Sequence, residues 1–331
     1  MSRTSHYAFI LAKVYGILAR SFVGKNFRDL LRLSELADLY DRLFPGERRE
    51  VPPQGMTVML EARIVRAGID AMTYVLDFLG EPVEILVHIL RKLEYQSLKT
   101  ALRAMVNGRA EEPRIWDLGA YAGIKLAGAR DYEKVIASSR YAWVLPLLGT
   151  TPLAVIENKL DKEYYARLLQ LARALPARDG TGVLRLVNLS IALANVIWAL
   201  RLRFFYGMEG EKARDLLIPG LVDAQRTAVA RVFEMQPDSV EEWRKWKYAW
   251  LIEDQLGESF HSPDPVRAEQ KAGQRLYARA RQIFHQNPFT LSPLVAYFTL
   301  KEHEVALLKT AVEAVHLSVA EQDVLAIVGA S

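Results

Sequence analysis

The sequence predicts an all-α protein made of similar helical domains, and three observations support this fold class. Apolar residues recur at three- and four-residue spacing along most of the chain, whereas two-residue alternation rich in Val, Ile and Thr is rare. Short Gly- and Pro-containing stretches, which favour loops, separate the apolar segments. Two sequence markers occur twice in the same order. The predicted loops lie at 45–55, 107–113, 148–152, 176–182 and 261–265.

Length and composition narrow the class of protein. A chain of 331 residues exceeds one typical hydrophobic core, so we expect two or three domains or an array of repeats. Hydrophobic residues make up 51% and charged residues 25%, which is ordinary for a folded protein. The absence of cysteine excludes disulfides, thiolate metal sites and cysteine nucleophiles. The 43 basic and 39 acidic residues are interleaved, which indicates a mixed-charge surface and predicts no nucleic-acid partner.

The helices are predicted in chain order from their apolar spacing. The apolar stretch near the start contains Lys13, so no signal peptide is predicted. Residues 87–108 read as one amphipathic helix. The apolar stripe of that segment comprises Val87, Leu90, Leu93, Leu98, Leu102 and Val106.

Two uncharged runs are the candidates for a membrane span, and neither is predicted to cross a bilayer. The run LVNLSIALANVIWAL (186–200) has 15 residues between two arginines, fewer than the ~20 that a bilayer requires. The run at 141–156 is interrupted by Pro146 and Pro152. We therefore interpret 186–200 as a deeply buried helix.

An internal repeat is the most informative pattern. SLKTALR (97–103) matches NVIWALR (195–201), and YAWVL (141–145) matches YAWLI (248–252) in the same order. Residues 24–44 form a weaker further copy that ends in Tyr-Asp-Arg. Repetition of a multi-helix unit predicts three similar domains, each of which buries part of its core against its neighbours. The predicted domains are 1–80, 81–180 and 181–331, the last with the C-terminal helices.

No pattern typical of catalysis or cofactor binding occurs. None of the six histidines lies in a His-x-x-x-His or His-x-x-Glu-His arrangement, and there is neither a phosphate-binding loop nor a Gly-x-Ser-x-Gly elbow. In the tetrad Lys301-Glu302-His303-Glu304, successive side chains on a helix would point ~100° apart and could not easily chelate one ion together. We therefore predict no catalytic residue, no metal and no cofactor.

A tryptophan stripe in EEWRKWKYAWLI leaves two interpretations. Trp243, Trp246 and Trp250 are spaced by three and four residues, on one face of a helix. Alternating basic residues could indicate RNA bases stacked on the rings. A buried helix with its basic residues in water has the same pattern, and we favour this core interpretation.

Four segments together resemble the C subunit of the V-type and archaeal-type rotary ATPases, which is called the d subunit in eukaryotes. They are YAFILAKVYGILAR (7–20), KLEYQSLKTALRAMVNG (92–108), VNLSIALANVIWALRL (187–202) and NPFTLSPLVAYFTLKEHEVALLKTAVEA (287–314). Ser97 stands where the family usually has Asn, whereas Asn195 keeps it. The acidic residue common shortly before that Asn is absent near Asn195, and Leu307-Leu308-Lys309 replaces a frequent Asn-Leu-Arg.

The resemblance implies three helical domains around a pseudo-threefold axis that form a funnel. It implies a non-catalytic adapter that links the central-stalk subunits to the proteolipid ring and transmits torque for ion transport. Such a protein is peripheral, on the cytoplasmic face of the membrane, and has no transmembrane segment of its own. The tetrad in the C-terminal helix would then be a structural or contact feature of a rigid helix.

The candidate partner-binding residues are Arg201, Arg203, Lys301 and Glu302. Two other classes of protein remain open. One is a generic helical-repeat scaffold that binds protein or RNA in a concave surface. The other is a helical enzyme whose site is assembled from scattered residues.

Overall fold

A computed structural model describes residues 3–47, 55–107 and 114–328 and confirms the all-α fold class. These ranges contain fifteen α-helices and short 3₁₀-helices, and no β-strand. They group into two compact units, one that joins the two ends of the chain (Met1–Glu81 with Val266–Ser331) and one that spans Pro82–Pro265. The predicted division into the domains 1–80, 81–180 and 181–331 stays a prediction.

The unit that joins the chain ends is built around its C-terminal long helix. The helices are α1 (Arg3–Leu18), α2 (Lys25–Leu31), α3 (Leu36–Leu43), α4 (Met56–Leu79), α13 (Pro265–Phe284), α14 (Ser292–His316) and α15 (Glu321–Val328). Helix α14 packs against α4 and also contacts α1, α2, α3 and α15. Gly68 permits the close approach to α4, because a Cβ there would lie 2.6 Å from Cγ2 of Val305 and the valine side chain would have to shift. The core includes Phe27, Leu30, Leu39, Leu60, Ala311 and Val312.

The Pro82–Pro265 unit is organised around two long neighbouring helices, α8 and α9. Its helices are α5 (Glu84–Leu90), α6 (Lys92–Asn107), α7 (Tyr132–Ala137), α8 (Leu153–Arg173), α9 (Ala177–Phe204), α10 (Gly210–Arg214), α11 (Asp223–Ala230) and α12 (Val240–Arg244). By length and composition, α9 could cross a bilayer, and no other helix in the described ranges could. However, 61% of its apolar window is buried within the protein, as the interpretation of 186–200 predicted.

The repeated Tyr-Ala-Trp marker corresponds to repeated local structure. Helix α7 and helix α12 each begin after a residue whose side chain accepts a hydrogen bond from a backbone N–H of the first turn, Asp131 and Ser239 respectively. Each helix is followed by a turn and then by a 3₁₀-helix. Tyr141 and Tyr248, both buried, directly precede these 3₁₀-helices. The two markers therefore occupy matching local positions.

Two predicted boundaries are wrong. Residues 87–108 do not form one helix, because α5 ends at Leu90 and α6 begins at Lys92, with a turn at Arg91. The predicted loop 176–182 is instead the start of α9, since Pro176 precedes the first turn and Asp179 lies within it, both favourable at a helix N-terminus. The predicted loops 45–55 and 107–113 lie largely outside the described residues.

The tryptophan cluster is a core feature, although its three members do not share one helix. Helix α12 ends at Arg244, so the single stripe was wrong. Trp243 and Trp246 are buried, whereas Trp250 lies half-buried in the following 3₁₀-helix. The chain turns after Arg244, and each buried indole N–H donates to backbone carbonyls of preceding segments. These bonds run from Trp243 to Gln236 (2.9 Å) and Pro237 (3.1 Å), and from Trp246 to Ala228 (2.7 Å).

Truncation of Trp243 tests this packing. Trp243→Ala should lower the free energy of unfolding by about 3–5 kcal/mol, because it removes a fully buried ring and leaves a cavity. Trp250→Ala is the matched control and should cost clearly less, since that ring is partly in water. Urea denaturation of both variants measures the difference. Equal losses would contradict the assignment of Trp243 to the core.

Candidate functional site

Side chains of the Lys301-Glu302-His303-Glu304 tetrad on α14 contact two different neighbouring segments. Lys301 and Glu304 lie one turn apart, are 8% and 5% exposed, and form an ion pair. The second carboxylate oxygen of Glu304 accepts a hydrogen bond from the backbone N–H of Phe22 at 2.8 Å. Glu304 therefore holds the loop before α2 against α14, with its charge balanced by Lys301.

His303 points to a different neighbour. Its ring stacks on Tyr277 of α13, with centroids 4.2 Å apart and planes inclined by 28°. Burial lowers the pKa of His303 to about 4, so the imidazole is neutral at pH 7. Among the described residues, no group of three or more His, Asp or Glu side chains is arranged to hold a metal ion. The tetrad thus contacts two structural elements and does not converge on one ion.

Helix α6 anchors a second loop by the same kind of contact. The hydroxyl of Ser97 accepts a hydrogen bond from the N–H of Trp116 at 2.9 Å. One turn earlier, the carboxylate of Glu94 accepts hydrogen bonds from the N–H groups of Gly123 and Ile124, the second at 3.2 Å. Glu94 is 3% exposed, so these donors replace the water that its charge would otherwise bind.

Aromatic and basic groups complete the surroundings of Glu94. The hydroxyl of Tyr141 donates to its carboxylate at 2.9 Å, and the guanidinium of Arg140 lies 3.8 Å from it. Burial raises the pKa of Tyr141 well above its usual range and that of Tyr95 to about 12. Both phenols therefore stay protonated at neutral pH, and Tyr141 remains a donor to the carboxylate.

Helix α9 anchors a third loop with a neutral side chain. Asn195 is fully buried, and its amide bonds both backbone groups of Ile218, accepting from the N–H at 2.7 Å and donating to the carbonyl at 3.0 Å. Asn158 of α8 donates to the neighbouring carbonyl of Leu216 at 2.9 Å. Three long helices thus each present a buried polar side chain to a loop. We call these the loop anchors: Glu304 on α14, Glu94 with Ser97 on α6, and Asn195 on α9.

The four predicted partner-binding residues lie on two helices. Arg201 is half-buried in the last turn of α9, and Arg203 donates to the carbonyls of Val232 and Met235. Burial lowers the pKa of Arg203. On α14, Lys301 is held by Glu304, whereas Glu302 is half-buried. Lys301 and Arg203 thus have structural contacts inside the chain, and partner binding by any of the four stays a prediction.

Similarity to known proteins identifies the family. The family model described as ATP synthase (C/AC39) subunit matches residues 10–326. The chain belongs to this family. The resemblance of the four segments to the C subunit of the V-type and archaeal-type ATPases is therefore confirmed.

Individual relatives are similar over two thirds or more of this chain. An uncharacterized protein of Treponema pallidum (strain Nichols) is 26% identical over 316 residues, which cover 93% of this chain and 92% of that protein. The C subunit of the A-type ATP synthase of Methanosarcina mazei is 25% identical over 240 residues, 70% of this chain. The corresponding protein of Methanococcoides burtonii is 26% identical over 238 residues, 68% of this chain. The match spans 65% of the length of each of the two archaeal proteins.

Glu94 is a loop anchor that the sequence did not lead us to predict. A signal was present, because an acid at 94 lies on the same face of α6 as the apolar Leu98 and Ala101. A charged residue on a buried stripe normally has a specific partner. The identity of that partner, a loop about 30 residues further along, could not be read from spacing.

The loop anchor on α9 can be tested by removing its amide. Asn195→Leu should lower the free energy of unfolding by roughly 3 kcal/mol, because both backbone groups of Ile218 would be buried without a partner. Asn158→Leu removes only one hydrogen bond to the same loop and should cost about half as much. Urea denaturation of the full chain measures both. A smaller loss for Asn195→Leu than for Asn158→Leu would contradict the anchoring role.

Two histidines with lowered pKa values, the buried His88 and the half-buried His303, predict a specific pH dependence of stability. His88 is 3% exposed, bonds the carbonyl of Tyr164 at 2.9 Å, and has its pKa lowered by burial to about 4, as has His303. Between pH 6.5 and pH 4 the unfolded chain binds protons that the folded chain excludes. The contribution of each histidine to the free energy of unfolding should therefore be fully present above pH 6.5 and fall as the pH drops to 4, by about 3 kcal/mol for the buried His88 and by less for the half-buried His303.

Chemical denaturation at several pH values checks this dependence. His88→Gln keeps a side-chain donor for the carbonyl of Tyr164 but cannot titrate, so its stability should fall less steeply below pH 6.5. His261→Gln, which removes an exposed imidazole, is the matched control. A wild-type slope that persists unchanged in His88→Gln would show that His88 does not contribute.

Proposed function

We propose that this chain is the non-catalytic adapter of an A/V-type rotary ATPase, linking the central stalk to the proteolipid ring. Membership of the ATP synthase (C/AC39) subunit family is the observation that carries the proposal. The archaeal relatives are named as the C subunit of A-type ATP synthase, which supports assembly into such a complex. In this role the chain would be peripheral, on the cytoplasmic face of the membrane.

Torque transmission requires stiffness, and the loop anchors supply a physical basis for it. A loop whose backbone N–H groups bond a buried side chain cannot move without breaking those bonds in a low-dielectric interior. Glu304, Glu94 with Ser97, and Asn195 hold one loop each. Closely packed helices joined in this way resist deformation, whereas a flexible linker would dissipate an applied twist.

The three loop anchors also favour the three-lobed organisation that the repeat predicted. Ser97 and Asn195 occupy matching positions of the repeated segment, and each accepts a hydrogen bond from the N–H of a non-helical residue further along the chain, Trp116 after α6 and Ile218 after α10. Glu304 makes the equivalent contact from the C-terminal helix to an N-terminal loop. We propose that these are three versions of one structural unit around an approximate threefold axis.

Reconstitution of the complex with and without this chain tests the adapter role. Without it, the detached catalytic head should still hydrolyse ATP, whereas ATP-driven ion uptake should fall to background because torque has no path to the ring. ATP hydrolysis and ion uptake are measured in the same reconstituted sample, which contains both the vesicles and any detached heads, and wild-type chain is added back as the positive control. Full ion uptake without the chain, or nucleotide turnover by the purified chain alone, would refute the proposal.

Charge reversal at Glu302 tests its proposed contact with a partner. Adding back Glu302→Lys should restore ion uptake less than the wild type does, because a half-buried acid near a partner surface would become basic. Glu313→Lys, on the exposed side of the same helix, is the matched control and should restore uptake fully. Thermal melts of both variants verify that they fold. Equal restoration by the two variants would remove Glu302 from the contact surface.

A further inference from the structure

A cavity of about 670 Å³ opens between α1, α13 and α14 in the unit that joins the chain ends. Its volume falls in the range of roughly 300–1,000 Å³ that small-molecule sites occupy. Much of its wall is apolar and comes from several elements. The apolar lining includes Leu18, Val23, Phe284, Leu300, Leu307 and Val328.

The stacked pair Tyr277 and His303 adds polar groups to this wall. Neither the hydroxyl of Tyr277 nor the ring nitrogens of His303 have a hydrogen-bond partner among the described residues. Burial raises the pKa of Tyr277 and lowers that of His303, so both are neutral groups that can donate a hydrogen bond. A ligand in the cavity could therefore accept hydrogen bonds without displacing any contact inside the protein.

Arg281 contributes a positive charge to the same cavity. Its side chain is exposed and makes no ion pair or hydrogen bond with the described part of the chain. It lies close enough to Tyr277 for its charge to favour ionisation of that phenol, which partly offsets the rise in the pKa caused by burial. Glu304 also lines the cavity, but its carboxylate is already bound by Lys301 and by the N–H of Phe22.

The helix that carries Arg281 is strongly basic, which adds to the positive potential there. Helix α13 contains five basic residues and one acidic residue. These are Arg267, Lys271, Arg275, Arg279, Arg281 and Glu269. The cavity therefore combines an apolar wall, neutral hydrogen-bond donors and a cation with no partner in the described chain.

We propose that this cavity binds an amphipathic anion, a molecule with one carboxylate or phosphate group on an apolar body. The anionic group would pair with the guanidinium of Arg281 and accept a hydrogen bond from Tyr277. The apolar body would cover the side chains of the cavity wall. This inference goes beyond the adapter function and does not depend on it.

Calorimetric titration of the purified full chain with ten-carbon amphiphiles tests the proposal. Decanoate and decyl phosphate should bind saturably at one molecule per chain. Decanol, which has no charge, and decylammonium, which is cationic, should bind at least tenfold more weakly. The tighter of the two anions identifies the headgroup. Absence of saturable anion binding, or equal affinity for decylammonium, would overturn the proposal.

Variants locate the binding to this cavity. Arg281→Gln should weaken decanoate binding at least tenfold, while Arg281→Lys should retain part of the affinity. Arg279→Gln, on the same helix but outside the cavity lining, should change the affinity less than twofold. Ala278→Trp places a large ring at an exposed lining position and should abolish binding without unfolding the chain, as a thermal melt can verify. Unchanged binding in Arg281→Gln or Ala278→Trp would overturn the assignment.

Discussion

The hydrogen bonds from loop backbone N–H groups to buried polar side chains on long helices are the interactions on which this structure depends most. A buried N–H without a partner costs ~1–3 kcal/mol, and an isolated buried carboxylate costs considerably more. Glu94 and Glu304 satisfy both requirements at once, because the loop N–H donates and the carboxylate accepts, and Asn195 satisfies the first. Helix packing and loop position are therefore set together, and a change in one disturbs the other.

The three loop anchors meet one physical requirement with different chemistry. Glu304 carries a full charge, and Lys301 one turn away balances it. The charge of Glu94 is balanced by Arg140 at 3.8 Å, and the hydroxyl of Tyr141 donates a hydrogen bond to the same carboxylate. Asn195 is neutral and needs no counter-ion, although it still satisfies both backbone groups of Ile218.

The residues at matching positions of the repeat explain why α6 uses a charged loop anchor and α9 a neutral one. Alignment of Ser97 with Asn195 places Ala192 where α6 has Glu94. Ala192 is buried and its side chain cannot accept a hydrogen bond, so α9 lacks the acid that the family commonly carries shortly before the Asn. On α9 the Asn therefore makes the contact without an acid beside it, whereas on α6 the acid accepts from two N–H groups and a serine stands at the Asn position.

Periodicity, composition and the repeat predicted the fold class and the buried character of 186–200, and the resemblance of four segments predicted the family. These properties depend on residues close together in sequence, which is why they could be predicted. Helix ends were less predictable: the turn at Arg91 and the end of α12 at Arg244 interrupt apolar stripes that continue in sequence. Only the tertiary structure decided which polar residue anchors which loop, because the partners are distant along the chain. The contact between Glu304 and Phe22 joins residues 282 positions apart, and no local pattern specifies such a pair.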